Sequence, residues 1–327
     1  MTPETTLQVT ALFRSMRLPV ICAPMFLVSG PDLVLAAARA GIMGVSPSGT
    51  ARSAEEFTSW FDRFANERAA FEQSNGRPMG PIAANLNVRA GGAMTMPRYL
   101  SDLDTCRRHR VPLVITVNGD PAPIIPLVHD WGGLVFHDVT TLKHARRAID
   151  AGVDGLIVIC GGGGGHSGVL NPFAFVPQLR RIFDGVIVLA GAIADGASVR
   201  AAQHLGADLC YMGTRFIATR ESAAPESYKR MLVDSQSHEL IYTPAFTHGV
   251  PAMLLEASVR AHGYDPANLP APRPRGEDAP HRAWRDIWAA GQSVGLIDDI
   301  PTVAELVDRI ARDYDAACAP PRWDLLR

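Results

Sequence analysis

A single histidine follows an unbroken run of glycines near the middle of the chain. In the stretch "LIVICGGGGGHSGVL", His166 comes directly after the glycines at positions 161–165. An imidazole titrates near neutral pH, so a histidine can serve as a general acid or base under physiological conditions. Glycine loses more backbone entropy on folding than any other residue, so such a run requires a reason. We therefore take His166 as the candidate catalytic residue.

The same glycines allow a second interpretation, a dinucleotide-binding loop. The letters "GGGHSG" satisfy the GxGxxG pattern, which needs a helix that begins inside the motif and an acidic residue at the end of the next strand. Here the next helix is predicted to begin at Pro172, and Asp184 precedes the next strand. No lysine follows the glycines, as a nucleoside-triphosphate loop would require. The pattern therefore favours a different ligand.

The segments around this motif alternate between strand and helix patterns. Eight nearly continuous apolar runs are typical of parallel strands covered on both faces. They read "LPVICA", "IMGVSP", "GPIAANLNV", "VPLVITVNG", "GLVFHDV", "DGLIVIC", "GVIVLAG" and "ADLCYMGT". Segments with helical periodicity lie between them, and one opens with the capping box "SAEE". Eight strand–helix units predict a (β/α)8 barrel (TIM barrel), with an open doubly wound sheet as the less favoured alternative.

The alternation ends after the eighth unit. Residues 222–299 are rich in proline and loop-forming residues, as in "YDPANLPAPRPRGEDAP", which indicates an inserted cap. The amphipathic stretch "TVAELVDRIARDYDAA" predicts a final helix that returns to the barrel. We therefore predict a barrel domain over residues 1–221, a smaller cap (substrate) domain over 222–299 and a C-terminal helical segment over 300–327.

Small residues follow the last two predicted strands. Binding and catalytic groups of such barrels lie at the carboxyl ends of the strands. The seventh strand ends in Ala190, Gly191 and Ala192, and the eighth runs into Gly213 and Thr214. Backbone N–H groups can approach a phosphate at both places, and the helix after Gly191 would add its positive N-terminal end. A phosphorylated ligand is predicted there, most simply a cofactor whose ring lies over the barrel mouth.

Composition limits which binding partners and which cellular compartment we expect for this protein. The 327 residues are 47% hydrophobic, enough for a large core, and carry a net charge of -2. This balance favours neither nucleic acid nor an anionic membrane surface, and no apolar stretch reaches the length of a membrane span. Five scattered cysteines without a CxxC pair argue against a disulfide framework and a zinc site. Because the N-terminus lacks a signal-peptide pattern, we expect a cytoplasmic protein that binds no metal.

Further motifs accompany the glycine–histidine turn in a fixed order. "GGGGGHSG" is followed by "VIVLAGAIADG" and "LGADLCYMGTRFIATRES", and "PVICAPM", "ANLNV" and "WAAGQSVGLIDD" occupy the other parts of the chain. This set resembles the nitronate monooxygenase family, formerly called 2-nitropropane dioxygenases. The resemblance implies an FMN-dependent barrel that oxidises alkyl nitronates with O2 to carbonyl compounds and nitrite. The partners would be this small-molecule substrate and O2, and we leave a homodimer open.

The resemblance also implies a role for each matching position. His166 matches the family's active-site histidine near the reactive edge of the flavin. The glycines before it would form a floor, because a side chain there would collide with the ring or the substrate. The positions that match flavin contacts are Ala23, Pro24 and Met25 after the first strand, Asn85 and Asn87 on the third, Gly164 and Gly165 after the sixth, and Ala190, Gly191, Ala192, Gly213 and Thr214 around the phosphate.

Two residues depart from the family pattern. Some relatives carry a lysine where this chain has Asp138 after the fifth strand. Arg215 replaces an alanine of the best-studied nitronate oxidisers and occurs in relatives that use a reduced nicotinamide. The alternative function is therefore an NAD(P)H-dependent flavin oxidoreductase acting on a quinone or an enoyl thioester. A non-enzymatic flavin-binding module is the alternative from another class. His137 and His248 are further candidates to line the site.

Overall fold

Eight parallel strands close into a barrel. The computed structural model describes residues 2–88, 96–274, 277 and 280–318. The barrel strands are β1 (Val20–Cys22), β2 (Met43–Pro47), β3 (Ile82–Asn87), β4 (Leu113–Val117), β5 (Leu134–Val139), β6 (Gly155–Ile159), β8 (Val186–Ala190) and β9 (Leu209–Met212), and β7 (Gly165–His166) lies outside the barrel. The barrel strands pair in this order, and β9 pairs back with β1. The predicted (β/α)8 barrel is confirmed, with predicted strands seven and eight as β8 and β9.

Helices surround the barrel and begin at cap residues that the sequence supplies. Ser53 caps one of them by accepting from the Glu56 N–H, and Asn171 caps another with Pro172 at its first position. Among the described residues, no helix has both the length and the apolar character that crossing a membrane requires. The helices are α1 (Pro3–Arg14), α2 (Pro31–Arg39), α3 (Ala54–Asn75), α4 (Pro97–Arg108), α5 (Ile125–Asp130), α6 (Leu142–Ala151), α7 (Pro172–Arg180), α8 (Gly196–Leu205), α9 (Thr214–Ile217), α10 (Glu226–Asp234), α11 (Glu256–Ala261) and α12 (Val303–Ala316).

The barrel wall separates two apolar cores. Inward side chains such as Ile21, Val45 and Phe136 fill the barrel, and Val9 and Leu12 of α1 join this inner cluster. Outward side chains pack against the surrounding helices in a second cluster. Each fully buried aliphatic or aromatic side chain stabilises the fold by about 1.5–3 kcal/mol. Burial on both faces is the reason that the strands are nearly continuous in apolar residues.

The segment after α10 forms a small sheet together with β7, the short strand in the loop after β6. β10 (Leu240–Thr243) and β11 (Ala252–Leu255) pair in antiparallel fashion, and β11 also pairs with β7. In this register Ala252 lies opposite His166. The insertion is therefore joined by strand pairing to the loop that follows β6. The predicted domain boundaries at residues 221 and 299 stay a prediction.

The last helix returns to the barrel, and a buried ion pair anchors the segment before it. α12 packs against α8 and α2. The Asp299 carboxylate accepts hydrogen bonds from Arg215 at 2.6 Å and from Arg309 at 2.7 Å. The Arg215 side chain is only 3% exposed, and a buried cation requires such a partner. Residues 319–327 of the predicted C-terminal segment lie outside the described residues.

The substitution Asp299→Asn should lower the free energy of unfolding by about 1–3 kcal/mol, because it leaves the buried Arg215 guanidinium without its carboxylate. Denaturant titration followed by circular dichroism measures the loss. As a control, Asp308→Asn removes the pair between Arg17 and Asp308, whose side chains are 47% and 54% exposed. That exposed pair should contribute about 1 kcal/mol or less. Equal losses in the two variants would contradict the anchoring role of Arg215.

Candidate active site

Four chain segments meet at the carboxyl ends of the barrel strands. They are the glycine loop (residues 161–165), the turn at 190–192, residues 213–214 and the crossing segment (residues 290–292). The Gly162 carbonyl accepts from the Gln292 N–H at 2.8 Å, and the Gly291 N–H donates to Thr214 Oγ1 at 2.9 Å. Cys160 N–H donates to the Ala190 carbonyl at 2.9 Å. The segments predicted to hold a phosphorylated ligand therefore lie together.

The glycine loop has no side chains at the point where the backbone of the crossing segment packs against it. A Cβ on Gly164 would lie 2.7 Å from the backbone nitrogen of Gly291 and 2.8 Å from the carbonyl carbon of Ala290. Gly165 has φ +71°, a conformation that favours glycine, and a Cβ there would lie 3.4 Å from the Trp284 ring. We predicted that these glycines form a floor under a ligand. The neighbours in the structure are protein atoms, so packing within the chain already requires glycine at position 164.

His166 is exposed at the edge of the small sheet, next to a tryptophan. Pairing of β7 with β11 fixes its backbone, and its ring meets the edge of the Trp284 ring at a centroid distance of 5.2 Å and an angle of 73°. Trp284 itself has φ +72°, an uncommon conformation for a bulky residue. Backbone strain of this kind concentrates at functional sites. The imidazole is thus held in place by two elements while it remains accessible to a ligand.

The loop after β1 is ordered by a buried serine. Ser29 Oγ accepts from the Met25 N–H at 2.9 Å and donates to the Ala23 carbonyl at 3.3 Å. Ala23 is buried, and Pro24 and Met25 are half-buried at the barrel mouth. A Cβ on Gly213 would meet no atom closer than Met25 Sδ, at 3.5 Å. The first and last strands therefore end next to each other, as their predicted shared role requires.

The two asparagines of β3 differ in their environment. Asn85 is half-buried and faces into the barrel, and its Nδ2 donates to the Ile115 carbonyl of β4 at 3.3 Å. Asn87 is the exposed last residue of the strand. Alternation along a strand places both on the inner side of the wall. Their contact with a cofactor remains a prediction.

The helix after Gly191 differs from the prediction made for it. α8 begins at Gly196, and Asp195 caps it by accepting from the Ser198 N–H at 2.7 Å. A carboxylate therefore already lies at this N-terminus, and it would repel a phosphate. The short helix at the site is α9, which directly follows Gly213. The N-terminus of α8 therefore does not support the predicted phosphate site, which stays a prediction.

Buried polar atoms without partners mark the same end of the barrel. Within the described part of the chain, Asp138 Oδ1, Ser167 Oγ and Tyr211 Oη have no hydrogen-bond partner. Burial raises the pKa of Asp138 to about 8. Buried polar groups of native proteins are nearly always hydrogen-bonded, and exceptions require an explanation. Together with the bare Gly213, these atoms fit a polar ligand seated at the mouth.

Three other candidates lie away from this mouth. His137 faces outward, its Nδ1 lies 2.7 Å from Thr116 Oγ1, and burial lowers its pKa to about 4, so it is neutral at pH 7. Arg215 is used by the Asp299 ion pair. His248 lines a separate small cavity in the insertion with Tyr264 and His281. A larger cavity of about 510 Å³, between α1 and α3, lies at the opposite end of the barrel.

Comparison with known sequences decides the family. The family described as Nitronate monooxygenase matches residues 9–313. The chain belongs to the nitronate monooxygenase family. It is accordingly an oxidoreductase, and a flavin is the cofactor that this family uses. Among the described residues, no group of three or more histidine, cysteine or acidic side chains could hold a metal ion.

Individual relatives carry different activities in their names. A nitronate monooxygenase of Paraburkholderia phytofirmans is 28% identical, over 90% of this chain and 92% of the relative. A (3aS,4S,5R,7aS)-5-hydroxy-7a-methyl-1-oxo-octahydro-1H-indene-4-carboxyl-CoA dehydrogenase of Rhodococcus jostii is 26% identical over the same shares. The solved nitroalkane oxidase of Streptomyces ansochromogenes superposes with a TM-score of 0.76 at 26% identity, covering 95% of this chain and 99% of that one. The family relationship therefore leaves the substrate open.

Sequence reasoning missed two residues of this site. Tyr211 sits two positions before Gly213 in "LCYMG", and alternation along β9 places it inside the barrel, so a signal existed. Trp284 lies in the insertion, where no periodicity predicts its left-handed backbone or its contact with His166. Both become visible only when the strands are closed into a barrel and the insertion is folded onto it.

Two glycine substitutions separate packing from ligand contact. Gly164→Ala should destabilise the flavin-free protein by about 1–3 kcal/mol, because its Cβ overlaps the crossing segment. Gly213→Ala should change stability by about 0.5 kcal/mol or less, because nothing in the chain occupies that space. Thermal and denaturant unfolding measure both. A larger loss for Gly213→Ala than for Gly164→Ala would show that the crossing is not packed as described.

Proposed function

We propose that the protein is an FMN-dependent nitronate monooxygenase that oxidises alkyl nitronates with O2 to carbonyl compounds and nitrite. The observation that carries the proposal is His166, exposed at the barrel mouth and fixed by β7 and by the Trp284 ring. A nitronate is an anion with oxygens that accept hydrogen bonds. An imidazole at this place can donate to those oxygens or remove the α-proton of a neutral nitroalkane.

FMN suits the site better than FAD does. The open space beside Gly213, after β9, offers a place for a terminal phosphate, with Thr214 next to it, whereas Gly191 after β8 packs closely against the backbone of the glycine loop. The described chain offers no second glycine-rich strand–helix turn for an adenylate. Bound there, FMN would supply the electron transfer between substrate and oxygen. Ala23, Pro24, Met25, Asn85 and Asn87 would line its ring from β1 and β3.

The chain's own residues then divide the remaining work. The strand pairing of β7 fixes where the imidazole of His166 stands, and the Trp284 edge limits how far the ring can turn. Because few bulky side chains line the glycine loop, a flat substrate can approach the imidazole closely.

A second function is favoured by one of the relatives. The Rhodococcus jostii relative is named a carboxyl-CoA dehydrogenase, which matches the alternative of an NAD(P)H-dependent flavin oxidoreductase acting on a quinone or an enoyl thioester. Arg215 does not favour this alternative, because its guanidinium is buried against Asp299. The two functions differ in the electron donor and are separated by one anaerobic experiment.

The purified protein should be yellow and should release FMN, not FAD, on heat denaturation, as resolved by chromatography. Mixed without oxygen, propionate-3-nitronate should bleach the flavin rapidly, whereas NADH and NADPH should bleach it slowly or not at all. Rapid bleaching by a reduced nicotinamide alone would replace the proposed function by the alternative. Flavin that binds but is reduced by no donor would indicate a binding module.

The substitution His166→Ala should leave FMN bound and lower turnover by roughly 10²–10⁴-fold, since the imidazole acts on the substrate's proton. The loss should be smaller with a preformed nitronate than with a neutral nitroalkane, because the nitronate has already lost that proton. His204→Ala, at an exposed position of α8, is the matched control and should keep wild-type rates. Wild-type turnover combined with lost flavin in His166→Ala would make the histidine a structural clamp.

A further inference from the structure

Asp138 projects into the barrel at its carboxyl end. On β5, Val135 and Val139 belong to the outer cluster and Phe136 to the inner one. Strand alternation therefore directs Asp138 inward, one layer above Phe136. Its Oδ1 is shielded from solvent and has no hydrogen-bond partner among the described residues. An acidic side chain is unusual in a barrel interior that is mainly apolar.

Tyr211 approaches the same space from the other side of the barrel. It lies on β9, and its side chain belongs to the inner cluster. Only 8% of the residue is exposed. Its hydroxyl also lacks a partner among the described residues. Burial raises the pKa of Tyr211, and negative charge on Asp138 raises it further, so the two groups lie within electrostatic reach of each other. Two polar atoms from different strands thus lack a polar partner that the described residues could supply.

No described residue places a countercharge beside the pair. Inward neighbours on the adjoining strands are apolar or neutral: Ile115 on β4, Ile157 on β6, Ala190 on β8 and Asn85 on β3. Cys22 on β1 lies near Tyr211, and burial raises the pKa of its thiol, so it stays neutral. In the described part of the chain, Tyr211 is the titratable group that faces Asp138.

This environment sets the charge of the carboxyl. Burial raises the pKa of Asp138 to about 8, well above the usual range for aspartate. At pH 7 the side chain is therefore mostly a neutral acid, and a neutral acid can donate a hydrogen bond. Above this pKa it becomes an anion that repels acceptor atoms. A lysine, which some relatives carry here, would stay a cation throughout.

We propose that Asp138, in its protonated form, and Tyr211 together donate hydrogen bonds to an acceptor atom of the flavin ring system, so that ionisation of Asp138 releases the cofactor. The proposal rests on the flavin use proposed above. Oxidised flavin offers carbonyl oxygens and unprotonated ring nitrogens, all of which are acceptors. Asp138 is then a binding residue specific to this chain, and cofactor affinity is linked to one proton.

The sign of the linkage follows from the protonation states. Binding requires the protonated acid, so below the pKa the dissociation constant for FMN is independent of pH, and above it the constant rises by about tenfold per pH unit. Diluting the purified flavoprotein between pH 6.5 and 9 and measuring the fluorescence of released FMN gives this constant without any turnover. For wild type we expect a flat lower arm followed by that rise.

Two variants assign the proton and the donors. Asp138→Asn is similar in shape, uncharged and still a donor, so its dissociation constant should stay flat across the whole range. Tyr211→Phe should weaken binding by roughly 3- to 10-fold at every pH while keeping the wild-type pH dependence, because it removes one neutral hydrogen bond. Asp184→Asn, at an exposed position before β8, is the matched control and should behave as wild type.

Two results would overturn the inference: a pH-independent constant in wild type, or a wild-type slope in Asp138→Asn. Circular dichroism of each variant at each pH confirms that released flavin does not report unfolding. A protein that binds no FMN at any pH would instead contradict the proposed function, so the two failures are distinguishable. A flat profile with tight FMN binding would leave the proposed function intact and remove Asp138 from the binding site.

Discussion

The site depends on a backbone crossing that leaves no room for side chains. A Cβ on Gly164 would overlap the crossing segment, and a Cβ on Gly291 would lie 2.6 Å from the Gly162 carbonyl oxygen. Hydrogen bonds from Gln292 and Gly291 to Gly162 and Thr214 hold the two segments in this contact. Since the crossing segment ends the insertion, this contact sets where the insertion lies on the barrel. The position of β7 against β11, and with it that of His166, follows from the same contact.

The residue that packs against His166 has a strained backbone. Trp284 adopts a left-handed backbone, which costs on the order of 1–3 kcal/mol for a bulky residue. The Trp284 N–H donates to the Ile287 carbonyl at 2.9 Å, which holds the ring against Gly165 and His166. Gly165 and Ala192 also have positive φ angles near the mouth. If stability alone mattered, we would expect ordinary backbone angles at such positions. The strained backbone at Trp284 therefore indicates that the geometry of the barrel mouth has a role of its own.

Periodicity was sufficient to predict the barrel, because its strands are buried on both faces and several of its helices begin at a side-chain cap. The site was harder to predict, because its decisive contacts join residues far apart in sequence. The glycine at 164 was attributed to a ligand, whereas its nearest atoms belong to Gly291. Asp195 follows the turn at 190–192 closely, yet its capping role, and its effect on the predicted phosphate site, appear only with the start of α8. Trp284 had no local signal at all.

The two departures from the family pattern have different physical meanings. Arg215 is buried, but Asp299 and a backbone carbonyl satisfy its guanidinium, so the fold alone accounts for it. Asp138 is half-buried, but its Oδ1 and the Tyr211 hydroxyl are shielded from solvent and have no hydrogen-bond partner among the described residues, and an unsatisfied buried polar group costs about 1–3 kcal/mol. Aliphatic side chains of similar size would remove that cost, as they do in the layers below. Asp138 and Tyr211 both lie towards the open end of the barrel, so the ligand that we propose for them would enter through that end.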